Sequence, residues 1–165
     1  STLVSDLYLP VGLTLSADED FVAVAEFYGY RVTRYWLKGP KRGSWDRLIE
    51  NLPGFPDGLA SDGSGTIYIS FAGLRSPILD QIHPYPWIKD QFAKLLLLLL
   101  SLGMQPAPGP GVVVAIDESG RVLRSFHDPE GQIVHMITAA EPHAGHLYLS
   151  SIGGDWIARC PIEDR

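Results

Sequence analysis

The chain has 165 residues, 45% apolar and 19% charged, with 17 glycines, 13 prolines and a formal net charge of −6. That is enough apolar sequence for one core and too little charge for a disordered chain, and a nucleic-acid binder would need a basic excess to neutralise phosphate. Cys160 is the single cysteine, which excludes an intrachain disulfide and a multi-cysteine zinc site.

From the start, Ser1–Pro10 shows no basic segment followed by an apolar core, so no signal peptide is expected and the chain is expected to be soluble and cytoplasmic. Short β-like runs separated by Gly, Pro, Asn and Asp then predict strands at 2–9, 12–16, 21–26, 31–37 and 45–52. A turn over Pro53–Asp57 leads to strands at 58–62 and 66–71, and an insertion follows at about 74–111. The insertion carries LLLLLLSL at Leu95–Leu102, and no charge occurs from Leu95 through Ile116. Gly103, Pro106, Pro108, Gly109, Pro110 and Gly111 interrupt that stretch, and its apolar part falls short of the roughly 20 residues a membrane span needs. It reads as one inserted apolar helix, about Pro86–Leu102, lying as a lid over a pocket mouth. Strands resume at 112–117, 122–128, 134–141, 146–151 and 156–162.

These runs repeat. VGLTLSADEDFVAVAEF (Val11–Phe27) aligns with DGLASDGSGTIYISFAG (Asp57–Gly73) and, more loosely, with ITAAEPHAGHLYLSSIG (Ile137–Gly153). Repetition of four-strand units is the signature of propeller blades. The expected fold is therefore all-β: three four-stranded blades, half of a six-bladed β-propeller, forming a single domain over 1–165. Three blades cannot close a ring, and an open arc leaves blade faces wet and a strand edge unpaired. A homodimer completing six blades resolves this, each Thr2–Leu9 serving as the outer strand of its partner's last blade. The alternative is that the chain is a fragment whose missing half occurs elsewhere, or a truncated product.

RYWLKGPKRG (Arg34–Gly43), NLPGFPDG (Asn51–Gly58), LRSPILDQIHPYPW (Leu74–Trp87), FHDPEG (Phe126–Gly131) and GHLYLSS (Gly145–Ser151) carry a family resemblance. Over nearly its whole length the chain resembles the C-terminal half of strictosidine synthase-like proteins, which are six-bladed propellers. The resemblance implies a glutamate on the innermost strand of the last blade as the condensing catalyst. The matching position here is Ala139, whose methyl group can neither take a proton nor hold a cationic iminium. Strictosidine synthase activity is therefore not expected. Related members are associated with esterase-type hydrolysis, and the wider superfamily of gluconolactonases and paraoxonases implies a divalent cation on the axis. Asp57 resembles one of its carboxylate ligands, whereas Val11 stands where an asparagine is usual. Calcium wants six to eight oxygens, so a single carboxylate is a poor site unless a second copy adds its own. Mixed ligands with histidine would suit zinc equally.

The candidate site is thus Asp57 as metal ligand and His135 as catalytic base, with Glu26, His83, Trp87 and Glu141 lining the substrate pocket. Each has a structural alternative: turn chemistry in Pro56–Asp57–Gly58, a water-satisfied tunnel histidine, solvated glutamates, and aromatic-proline packing around His83. His143 and His146 flank a hairpin turn without a clear third ligand. No G-x-S-x-G elbow, phosphate-binding loop or dinucleotide fingerprint is present. Two functions follow: a hydrolase of small apolar esters or lactones in an axial pocket, or a ligand-binding or assembly module that has lost the chemistry.

Overall fold

The computed structural model describes residues 2–76, 85, 87, 88, 91, 94, 95, 98, 101, 102 and 109–163. Among these the chain forms eleven strands. They are β1 (Pro10–Leu15), β2 (Phe21–Glu26), β3 (Arg31–Trp36), β4 (Trp45–Ile49), β5 (Gly54–Ser61), β6 (Thr66–Leu74), β7 (Gly111–Asp117), β8 (Val122–Asp128), β9 (Ile137–His143), β10 (His146–Ser151) and β11 (Ile157–Pro161). A 3-10 turn, Phe27–Gly29, links β2 to β3.

Each strand pairs antiparallel with its neighbour in sequence, giving sheets β1-β2-β3-β4 (blade A), β5-β6-β7-β8 (blade B) and β9-β10-β11 (blade C). Where the connection is short, as between β1 and β2, β5 and β6, and β7 and β8, the turn is polar. Asp62 Oδ1 accepts the backbone N–H groups of Ser64 and Thr66, and Asp117 Oδ1 does the same for Ser119 and Arg121. Ser16 Oγ accepts those of Asp20 and Phe21. In each turn a side-chain oxygen replaces a ladder partner that the chain reversal removes.

The period of two then sorts the core. From blade B, Ile67, Ile69, Phe71, Val112, Val114 and Ile116 turn toward blade A, joining Phe21, Ala23, Val32, Leu48 and Leu52. Their neighbours Tyr68, Val113 and Ala115 turn toward blade C and meet Ile137, Ala140, Leu147 and Leu149. Blade B is thus buried on both faces, which explains why its strands read as near-continuous apolar runs. Blades A and C each bury one face and leave the other open. On blade A the open face carries Leu13, 66% exposed; on blade C it carries Ile157, 80% exposed.

Two expectations are corrected. Blade C has three strands among the described residues, not four, and Thr2–Leu9 is not a strand: Asp6 and Leu9 both have positive φ and the segment joins no sheet. The inserted helix is also corrected, since the elements of the fold are the eleven strands and the one 3-10 turn. Most of 77–108, including much of the Pro86–Leu102 stretch, lies outside the described residues.

Candidate functional site

The innermost strands β1, β5 and β9 lie side by side, and glycines set how closely. A Cβ on Gly12 of β1 would fall 2.2 Å from the Asp57 carbonyl oxygen, and one on Gly58 of β5 would fall 2.4 Å from the Thr138 carbonyl oxygen of β9. Only glycine permits these approaches. They bring Asp57 and Gly58 between Gly12 on one side and Thr138–Ala139 on the other.

The Pro56–Asp57–Gly58 sequence, read as a turn, lies inside β5. The register of β5 against β6 shifts between Pro56 and Leu59, so Asp57 and Gly58 form a bulge. Pro56 has no N–H to offer a ladder, which suits it to such an irregularity. Buried Ser70 of β6 holds the bulge: its Oγ accepts Gly58 N–H at 2.9 Å and donates to Gly58 O at 3.3 Å. Sequence reading passed over Ser70, although one hydroxyl inside TIYISF was the available signal. Burial pushes the Asp57 carboxyl above the ordinary aspartate value, and no described cation or donor offsets it.

His135 is engaged elsewhere. Its Nδ1 lies 3.0 Å from Gly131 O and its Nε2 3.3 Å from Gly153 O, with Trp156 edge-on to the ring. Ser151 Oγ donates to His135 O at 2.6 Å. These contacts tie the β8–β9 connection to the loop after β10, and none joins His135 to Asp57.

Glu26 ends β2 on the open face of blade A. It is fully buried and accepts from Tyr8 N, Arg31 Nε, Arg31 Nη2, Thr33 Oγ1 and Arg47 Nη1. Arg31 stacks over the Tyr8 ring and Arg47 over Trp45. Desolvation pulls the Glu26 pKa upward, but hydrogen bonds from Arg31, Thr33 and Tyr8 N–H and the attraction of Arg31 outweigh it, leaving about 2 in place of 4.5. Its register explains the cluster, since Glu26 pairs with Arg31 and Val24 with Thr33, and Thr33 in turn with Arg47. Sequence reading placed Glu26 in a pocket because it lacked that cross-strand register.

Glu141 is exposed on β9 opposite Tyr148, on the open face of blade C. Because A and C both pack on B, Glu26 and Glu141 stand at opposite ends of the arc and do not meet within one chain. Trp87 is 68% exposed, and His83 lies outside the described residues.

The donor set does not fit a cation by itself. Among the described residues no three His, Cys, Asp or Glu side chains cluster. Asp57 is flanked by β1 and β9 segments carrying Val11 and Ala139, neither of which can ligate.

Residues 1–40 match the family model described as strictosidine synthase. The adipocyte plasma membrane-associated protein of Bos taurus is 37% identical over 161 residues, covering 95% of this chain and 39% of the relative. Strictosidine synthase-like 13 of Arabidopsis thaliana is 29% identical over 142 residues, covering 86% of this chain and 35% of the relative. The chain is similar to the strictosidine synthase-like proteins, a propeller family. It spans about two fifths of the length of the curated relatives it matches. Among solved structures, a gluconolactonase from Xanthomonas campestris superposes with a TM-score of 0.58 at 16% identity, covering 96% of this chain and 39% of that one. The calcium-binding protein regucalcin from Agrobacterium tumefaciens gives 0.55 at 16% identity, covering 94% and 43%. These likenesses establish the propeller fold for the strictosidine synthase-like chain. Among the described residues no helix is long and apolar enough to cross a membrane.

Proposed function

We propose that this strictosidine synthase-like chain contributes three blades to a six-bladed ring whose axial pocket hydrolyses small apolar esters or lactones. A second copy supplies the other blades in a homodimer, and Asp57 is the reacting carboxylate. The observation that carries the reading is the state of Asp57: a carboxylate desolvated on an inner strand, with no described partner, held by a bulge that Ser70 and two close-packed glycines define. Such a group lowers stability, so its presence asks for a use. The likeness to a gluconolactonase supports a lactone or ester as the substrate class.

The chemistry needs only a base. A carboxylate with a raised pKa takes a proton from water while the water oxygen attacks the ester carbonyl carbon. Collapse of the tetrahedral adduct breaks the bond to the alkoxy oxygen, which recovers the proton from Asp57. The products are an acid and an alcohol, or a hydroxy acid from a lactone, and the carboxylate is regenerated. A cation would need ligands beyond those described in one chain, such as a second Asp57, and no step here depends on one.

The test is hydrolysis of aryl esters and lactones by wild type, Asp57→Asn and Asp57→Ala, with bound metal measured by elemental analysis. Loss of a general base costs about 10²–10⁴-fold in rate. Rates that are the same in all three proteins would remove the proposal. A second reading, a ligand-binding module without chemistry, is favoured by Val11 and Ala139 on the flanking strands. It predicts no hydrolysis by wild type and ligand binding that weakens on Asp57→Ala.

A further inference from the structure

The inner strands of blades A and B open with the same irregularity. In blade A, Pro10 pairs with Glu26 and Leu13 with Val24, which leaves Val11 and Gly12 opposite a single residue, Ala25. In blade B, Pro56 pairs with Phe71 and Leu59 with Ile69, which leaves Asp57 and Gly58 opposite a single residue, Ser70. Each is a bulge of two residues against one, with a proline before it and a glycine as its second member. Ala25 and Ser70 are both fully buried. The chain thus builds one backbone feature twice and furnishes it differently, with a methyl group opposite valine and a hydroxyl opposite aspartate.

That internal comparison separates two roles for Ser70. The bulge in blade A forms over alanine, so this backbone does not require a hydroxyl opposite it. A buried hydroxyl is unfavourable unless its hydrogen bonds are made, and Ser70 makes them with Gly58: Oγ accepts Gly58 N–H at 2.9 Å and donates to Gly58 O at 3.3 Å. Residue 58 has to be glycine for the hydroxyl to reach the backbone, since a Cβ there would stand 2.9 Å from Ser70 Oγ. The hydroxyl is itself firmly placed. Ser70 lies between fully buried Ile69 and Phe71, and its backbone pairs with Val113 of β7 in the middle of the sheet.

Gly58 N–H belongs to the peptide that begins at the Asp57 carbonyl. The oxygen of that peptide lies against Gly12 of β1, where there is no room for a Cβ, and its N–H is tied to Ser70 of β6. Both ends of one peptide plane are therefore held from two neighbouring strands. A fixed plane fixes the direction of the Asp57 Cα–Cβ bond and leaves the carboxylate only its rotamers. Bulges re-aim side chains in this way. We infer that Ser70 is a positioning residue for the reaction of Asp57: acting through Gly58, it aims the carboxylate at water and substrate while touching neither. This rests on the reading of Asp57 as the reacting carboxylate, and not on what completes the ring.

The test is a double-mutant cycle in aryl-ester hydrolysis with wild type, Ser70→Ala, Asp57→Asn and the two substitutions together, alongside amide hydrogen exchange at Gly58. Ser70→Ala folds, as the blade A bulge does over alanine, and its Gly58 amide exchanges faster than in wild type because the acceptor is gone. Its kcat falls about 10- to 100-fold while KM stays within about twofold, since the lost hold acts on the reacting group and not on substrate binding. In the Asp57→Asn background the same substitution costs less than about twofold, because no carboxylate is left to aim. The inference is overturned by a Ser70→Ala kcat equal to wild type, by an equal loss in both backgrounds, or by a Ser70→Ala chain that does not fold, which would make the hydroxyl a requirement of the fold. An active wild type with an indifferent Ser70→Ala keeps the proposed function and removes this inference alone. A wild type that hydrolyses nothing removes both.

Discussion

Glu26 and Asp57 are two acids in one chain with opposite electrostatic fates, and the difference is the number of donors each meets. Glu26 is fully buried but has five donor atoms around it, so the folded state favours its charge and its pKa falls to about 2. The drop from 4.5 corresponds to about 3 kcal/mol of folding free energy. Because the folded value is depressed, that stabilisation is present above pH 4.5 and is lost as pH falls toward 2. Urea titrations of wild type and Glu26→Gln should differ by about 3 kcal/mol at neutral pH, and the gap should close across that acid window. Asp57 has the reverse sign. Its raised folded pKa means that charge costs stability once pH exceeds the unfolded value of 3.8. Asp57→Asn should therefore have a higher urea midpoint than wild type at neutral pH, with the advantage vanishing below that value. An unchanged or lower midpoint would mean that Asp57 has a stabilising partner. Neither fate was legible from sequence, because each depends on which neighbours the register brings up. The choice of Asp57 itself came from residue type and motif.

At the scale of elements, alternation and turn chemistry were legible and irregular backbone was not. The predicted strands 21–26, 122–128 and 146–151 coincide with β2, β8 and β10, because each alternates between polar turns. Pro53–Asp57 was read as a turn by its composition, yet Gly54–Ser61 continues as one strand with a bulge. The same residues satisfy both descriptions locally, and only the pairing with β6 distinguishes them. Thr2–Leu9 alternates as a strand should, yet it joins no sheet, because alternation alone does not supply a pairing partner. Two substitutions test the elements. Phe71, fully buried between blades A and B, should cost about 3–5 kcal/mol when changed to Ala. Gly58→Ala should cost about 1–3 kcal/mol by forcing β5 from β9, whereas Gly109→Ala, which meets nothing within 4 Å, should be nearly neutral in the same denaturation assay. Equal effects at the two glycines would contradict the close approach of the inner strands.

For the molecule as a whole, the repeat was the most informative feature of the sequence, because it gave blade number and order before any contact was known. What it did not give was the content of each blade end. The three blades form an arc whose two end blades each leave one face open, with Glu26 on one and Glu141 on the other. Under the proposed homodimer a site centred on Asp57 is shared by two halves, and one chain by itself offers no cluster of ligands among its described residues. Light scattering over a range of protein concentrations tests this most directly. The account predicts a molar mass that rises to twice 18.1 kDa as concentration increases. A mass of 18.1 kDa at every concentration would contradict it.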